Sequence, residues 1–279
     1  MTDRVSIDLK AGVADVRLNR PEKMNALDPA MFEALTEAGN HLAKEPGVRA
    51  VVLTGEGRGF CAGLDMASFA AMSEGKPRSE KKEASEKKAR PGNLLDTAAD
   101  SPGTVAQSAA WVWRSLPVPV IAGIHGVAYG GGLQIALAAD MRIVAPDARL
   151  SVMEVKWGLV PDMTGTQTLR HLVRDDVARD LTFTGRIISG EEARELGLAT
   201  RVDENPQQAA YDTAMEIASK SPNAIRADKE LLNAASLISL EEGLQLEARL
   251  QGSLIGQPNQ VEAAKANLEK RAPKFEDPQ

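Results

Sequence analysis

Cysteine occurs once in the 279 residues, at Cys61, and aromatic residues make up only 4%. A lone cysteine forms no internal disulfide and no paired-cysteine metal site, and its use fits a reducing cytoplasm. The three histidines, His41, His125 and His171, are scattered, so no histidine pair stands at metal-ligand spacing. Positive charge is not in excess either. The net charge of −6 argues against broad attraction to nucleic acid or to an anionic membrane surface. The opening MTDRVSIDLK carries Asp3 and Asp8 and lacks the apolar stretch of a secretory signal. There is no P-loop, no G-x-S-x-G elbow and no H-E-x-x-H pair. GEGRG at Gly55 to Gly59 misplaces the third glycine of the dinucleotide fingerprint.

What is present suits a globular chain: 43% hydrophobic and 26% charged residues. From Ser115 to Ala139 no Asp, Glu, Lys or Arg occurs, a length that raises the question of a membrane span. Pro117, Pro119, His125, Gln134 and five glycines interrupt it. A buried strand, a glycine turn and a buried helix account for it better. His125, at the end of that strand, reads as a satisfied core histidine rather than a base.

Alternation of apolar and polar residues predicts strands around Val5 to Leu9 and Ala14 to Leu18. Asp28-Pro29 then opens a helix with an apolar face of Met31, Leu35, Ala38 and Leu42, ended by Pro46-Gly47. Further strands are expected at Arg49 to Gly55, Val118 to Ile124, Met141 to Ala145 and Leu150 to Val152. This order gives an α/β class. Residues 74 to 103 are polar and edged by Pro and Gly, readable as a solvated loop or as a lid over a ligand. The run of Lys81, Lys82, Lys87 and Lys88 suits an anionic ligand, whereas Glu80, Glu83 and Glu86 among them spoil it as a nucleic-acid patch. From about Pro206 the chain reads as helices, with capping-box spacing at Ser189/Glu192, Ser239/Glu242 and Asn259/Glu262.

Two glycine-bearing segments carry the chemistry. GRGFCAGLD (Gly57 to Asp65) follows a strand, and HGVAYGGGLQIALAAD (His125 to Asp140) leads three glycines into an apolar helix. Glycines at a helix start leave amide N–H groups free and let a ligand approach the backbone. Either segment taken alone reads better as a tight turn with close helix packing.

Taken together they resemble the two halves of the oxyanion hole of the crotonase (enoyl-CoA hydratase/isomerase) superfamily. RPEKMNAL (Arg20 to Leu27) is similar to the family's adenine-side CoA loop. VMEVKWGLVPDMTGTQTLRHLV resembles the segment bearing its second acid/base residue. TGRIISGEEARELGLATRV and LEKRAPKF resemble later family stretches. The resemblance implies a crotonase-type spiral of β-β-α units over residues 1–200, then a C-terminal helical oligomerisation region over 201–279. It also implies a homotrimer or dimer of trimers. The substrate would be an acyl-CoA thioester, with coenzyme A as part of the substrate and no separate cofactor or metal.

Carried over by position, the amides of Leu64 and Gly131 are the oxyanion donors, and Glu154 is the general base. Cys61 is then a small packing residue, with no base beside it to make it a nucleophile. The family's hydratases hold water between two glutamates, and the first of these falls on Gln134, which cannot ionise. Asp162, eight residues after Glu154, matches the glutamate–aspartate spacing of the dienoyl-CoA isomerase branch. That branch has an aspartate where this chain has Gln134. Asp162 is thus a second acid or a loop-turn residue. Lys23, Met24, Ala26, Ala62, Asp65, Gln134 and Lys270 are the expected substrate and CoA contacts. The expectation favours an isomerase over a hydratase. A CoA-thioester hydrolase or dehalogenase, a non-catalytic acyl-CoA-binding protein and an RNA-binding crotonase fold remain as alternatives.

Overall fold

A computed structural model describes residues 3–73, 94–98 and 103–278. Residues 74–93 and 99–102 of the polar insertion, Lys81, Lys82, Lys87 and Lys88 included, lie outside the described residues. The chain opens with β1 (Val5–Lys10) and β2 (Val13–Leu18), then α1 (Pro29–Leu42), β3 (Ala50–Gly55), α2 (Met66–Ser73) and α3 (Val105–Ser115). There follow β4 (Val120–Ile124), β5 (Val127–Tyr129), α4 (Gly131–Ala138), β6 (Met141–Val144), β7 (Arg149–Ser151) and a 3-10 turn (Glu154–Trp157). α5 (Gly165–Leu172), α6 (Asp175–Thr184), β8 (Ile188–Ser189), α7 (Gly190–Leu196) and β9 (Arg201–Val202) complete the mixed part. Four helices close the chain: α8 (Pro206–Ala218), α9 (Pro222–Ala234), α10 (Leu240–Leu254) and α11 (Pro258–Leu268).

One sheet has the order β1-β2-β3-β4-β6-β9, and a smaller one the order β5-β7-β8. β1 and β2 form an antiparallel hairpin, with Val5 opposite Leu18, and the rest of the large sheet is parallel. Parallel strands need a crossover of a dozen or more residues, which is why helices intervene. β3 shows the consequence of period-two geometry, being buried along its whole length. Val51 and Leu53 face α1, α3 and α4, while Ala50 and Val52 face α8. The alanines of α8 (Ala209, Ala210, Ala214, Ala218) make that second interface. They let the helix lie close to the sheet.

The Ser115 to Ala139 stretch resolves into the end of α3, β4, β5 and α4, with β5 unforeseen. No helix among the described residues is long and apolar enough to cross a membrane. His125 is satisfied, its ring nitrogens meeting Gly57 O at 2.9 Å and Gln207 Nε2 at 3.4 Å. Asp28 caps α1 as expected, accepting from Met31 N, but the helix stops at Leu42, one turn before Pro46-Gly47. The full capping box at Ser239/Glu242 is present, and Ser189 accepts from Glu192 N. Asn259/Glu262 is not a cap. α11 starts at Pro258, and Asn259 is buried, tying the tail through Glu276 O and N. Glu262 instead receives Arg271 and Lys274 N.

Candidate active site

The loop after β3 and the start of α4 lie against each other. Tyr129 N donates to Cys61 O, and Cys61 N to Val127 O. Gly63 has φ +83°, and a Cβ there would sit 2.6 Å from Tyr129 O, so only glycine allows this approach. At Gly132 a Cβ would fall 2.5 Å from Cys61 O. Leu64 and Gly131 thereby border one cavity of about 350 Å³. Among the described residues neither amide N–H has a hydrogen-bond partner. For Gly131, first residue of α4, that follows from helix geometry.

A second loop braces the first. Asn25 is fully buried with φ +56°, and its Nδ2 donates to the carbonyls of Glu56, Gly59 and Phe60. Its Oδ1 accepts from Arg20 N at 2.8 Å. Leu27 N donates to Gly63 O, and Asp65 N to Leu27 O. Arg20 pairs with Asp65. The Asp65 carboxyl is held below its usual range by Ala67 N–H and then by Arg20. Cys61 is buried, donates to Asn25 O at 3.1 Å, and has its thiol pushed up to about 12 by burial. It is a packing residue.

Glu154 opens the 3-10 turn after β7, placed beside α4 because Gly130 N donates to Ser151 O. It is 8% exposed. Its Oε1 accepts from Gln134 Nε2 at 2.5 Å, while its buried Oε2 has no partner. The Gln134 Oε1 accepts from Met163 N at 2.8 Å and Gly165 N at 2.9 Å. Two backbone donors on one atom fix it as the oxygen, so the amide NH₂ must face Glu154. Burial raises the Glu154 pKa, and the charge of Asp162 raises it further. Asp162 borders the same cavity, open to solvent on one side, and its pKa is also raised by desolvation. Asp162 precedes a strained turn. Thr164, a β-branched residue, sits at φ +69°, a conformation held only where surroundings over-determine it. Here the two amides bound by Gln134 flank it.

Ala62, Leu64, Gly131, Gln134, Glu154 and Asp162 all border this cavity. Lys23, Met24, Ala26 and Asp65 do not, although Ala62 N donates to Met24 O, which sets their loop alongside. Lys270 also lies outside the lining, at the end of α11, where the adjoining tail is held by Arg49 on Phe275 O and Asp277. The braces made by Asn25 and Gln134, and the stacked rings of Phe69 and Trp157 at 4.0 Å, were not foreseen. Both ring residues stand alone in sequence, and no local pattern announces their pairing.

The sequence model of the family described as enoyl-CoA hydratase/isomerase matches residues 8–278. The chain belongs to the enoyl-CoA hydratase/isomerase family. It is 34% identical to a protein of Thauera aromatica named (E)-benzylidenesuccinyl-CoA hydratase, over 97% of this chain and 98% of that one. It is 33% identical to a probable enoyl-CoA hydratase of Bacillus subtilis over 97% and 98%. A crystal structure of an enoyl-CoA hydratase from Bacillus anthracis superposes with a TM-score of 0.84 at 32% identity, covering 98% of each chain. The fold is therefore the crotonase type. As a family member the protein is an acyl-CoA enzyme.

Proposed function

We propose that the protein moves a proton, and with it the double bond, along the acyl chain of an enoyl-CoA. The amides of Leu64 and Gly131 hold the thioester oxygen. Glu154 takes a proton from the carbon next to the thioester, and charge passes onto that oxygen. Fixed N–H donors in a dry site are worth ~3–4 kcal/mol each to such a charge. The resulting dienolate is reprotonated two carbons further along, by Asp162 in its acid form or by Glu154 itself. The coenzyme A part lies along Lys23, Met24 and Ala26 beside Ala62, and Lys270 reaches it from a neighbouring subunit of a trimer. Asp65 serves by pinning Arg20.

The observation that carries this reading is the full commitment of Gln134. Its oxygen is occupied by two amides and its NH₂ by Glu154, so it offers no acceptor to a water nucleophile. Two acids with raised pKa values remain on one cavity, which suits transfer between carbons. A second reading, hydration with Glu154 alone activating water, is favoured by the names of the relatives.

The test is NMR in D₂O over a panel of 2-enoyl- and 3-enoyl-CoAs, with wild type beside Glu154→Gln. Deuterium uptake with double-bond migration, lost in the variant, supports the isomerase. Water addition without migration supports the hydratase. No exchange on thioesters that bind would refute proton transfer altogether.

A further inference from the structure

The peptide unit that carries the Leu64 N–H also carries the Gly63 C=O, and a planar trans peptide points the two in opposite directions. Leu27 N donates to that Gly63 O at 2.8 Å, so the bond from Leu27 sets where the Leu64 N–H is aimed. The same geometry repeats one step back. The Leu27 N–H shares its peptide unit with the Ala26 C=O, and Arg20 Nη1 donates to Ala26 O at 3.1 Å. Asp65 N donates to Leu27 O at 3.0 Å, completing a parallel bridge between Leu27 and Leu64. A guanidinium, two peptide units and the Leu64 amide beside the cavity therefore form one hydrogen-bonded line, with Arg20 at its far end.

Arg20 is itself fixed. Its side chain is 12% exposed and that of Asp65 11%. The Nη1 that holds Ala26 O also meets the Asp65 carboxylate, and the Arg20 N–H donates to Asn25 Oδ1 at 2.8 Å. The loop needs such holding, because Met24 and Asn25 both take the left-handed backbone, at φ 47° and 56°. Hydrogen bonds in a chain polarise one another by about 10–30% per bond, but Asp65 offsets much of the charge that would drive this. Orientation is the larger effect, since moving a group at the reacting centre by about 1 Å can cost ~10²-fold in rate. We propose that Arg20 is a positioning residue of the oxyanion hole, aiming the Leu64 amide through the Ala26–Leu27 and Gly63–Leu64 peptide units. This role presupposes the reading that the amide holds the thioester oxygen, and it is the same for double-bond migration and for hydration.

The test is infrared difference spectroscopy of the full-length protein with hexanoyl-CoA isotope-labelled at its carbonyl carbon, beside steady-state turnover of the enoyl-CoA that the wild type converts. Hexanoyl-CoA is saturated, so neither migration nor hydration alters the bound carbonyl. Two donors on the thioester oxygen lower its stretching frequency in the wild type. Arg20→Met should lose about half of that shift, the share of one donor, and lower kcat by ~10–10²-fold. KM should stay within about threefold, as befits an interaction that matters most in the transition state. Arg20→Lys keeps the charge on a stem one bond shorter and should fall between. Arg20→Met leaves the buried Asp65 carboxylate without this partner. The double variant Arg20→Met/Asp65→Asn, whose asparagine oxygen can still accept from Ala67 N, carries the same test if the single one does not fold. A full wild-type shift in the variant that folds overturns the inference, whatever its turnover, and so does a rise in KM alone. If the wild type itself shows no shift on binding, the oxyanion-hole reading falls, and the role of Arg20 with it.

Discussion

Glu154 is predicted to be a residue that the fold would be more stable without. One of its oxygens is buried with no partner, and burial, then Asp162, raises its pKa. A carboxyl whose folded pKa exceeds its unfolded one binds a proton more tightly in the native state. Its contribution to stability is therefore complete below the unfolded pKa and is lost as pH rises through the folded one. At neutral pH the ionised group weighs against folding. Glu154→Gln removes the charge while its side-chain oxygen still accepts from Gln134. A neutral polar atom left unsatisfied in a buried site costs about 1–3 kcal/mol, and a charged one costs more. The new NH₂ is itself unpaired, so only the difference is gained, about 1–2 kcal/mol. With an unfolding entropy of ~2.1 cal/mol/K per residue, that corresponds to roughly 2–3 °C for a chain of this length. Thermal melts followed by circular dichroism from pH 8 to pH 4.5 should show the variant melting higher at pH 8. The gap should close toward acid as wild-type Glu154 takes up its proton. Turnover should fall by ~10²–10⁴ in the same variant. A lower melting temperature at pH 8, or a gap that does not change with pH, would refute the reasoning.

Gly63→Ala, which drives a Cβ into Tyr129 O, should lower kcat by ~10²–10³ through displacement of the Leu64 amide, with the far-ultraviolet spectrum unchanged. Asn25→Ala leaves the carbonyls of Glu56, Gly59 and Phe60 without their donor and should cost about 2–4 kcal/mol in urea unfolding. Gln134→Glu puts a second carboxyl in hydrogen-bond contact with Glu154, where both cannot ionise. The acid limb of its pH–rate profile should move upward, and NMR should find water addition gaining on double-bond migration. Asp162→Asn should slow migration while leaving hexanoyl-CoA affinity within about twofold by titration, and an unaltered migration rate would make Asp162 a turn residue only.

Much of the fold was legible because its signals are local. Strand alternation in β1 and β2, the Asp28-Pro29 start of α1 and the Ser239 box of α10 each depend on neighbours in sequence. Failures fell where contacts are distant. β5 is three residues long and exists because β7 pairs with it, and β8 and β9 are two-residue strands held by partners far along the chain. Asn259 looked like a cap because its spacing to Glu262 fits one, yet the tail at Glu276 claims its side chain. In the site, Glu154 and Asp162 were recognised by family resemblance, not by any pattern of their own. That Asp65 belongs to a brace with Arg20, outside the cavity lining, needed three dimensions.

The residue that departs from the family's hydratases also shows how the site can change its chemistry without losing its shape. A glutamate at position 134 would place a charged group against Glu154 and the Met163 and Gly165 amides. Gln134 keeps an oxygen for those amides, and so keeps the turn through Thr164 in its left-handed conformation with Asp162 at the cavity edge. What it changes is the group facing Glu154, from an acceptor that needs a shared proton or water to a donor. Donation to the carboxylate favours its charged form, against the desolvation that favours the neutral one. Desolvation prevails and the Glu154 pKa stays raised, a direction that suits the proton transfer proposed for it. On the proposed function, absence of the first glutamate therefore does not imply loss of catalysis; the work of a pair would fall to Glu154 and its amide clamp.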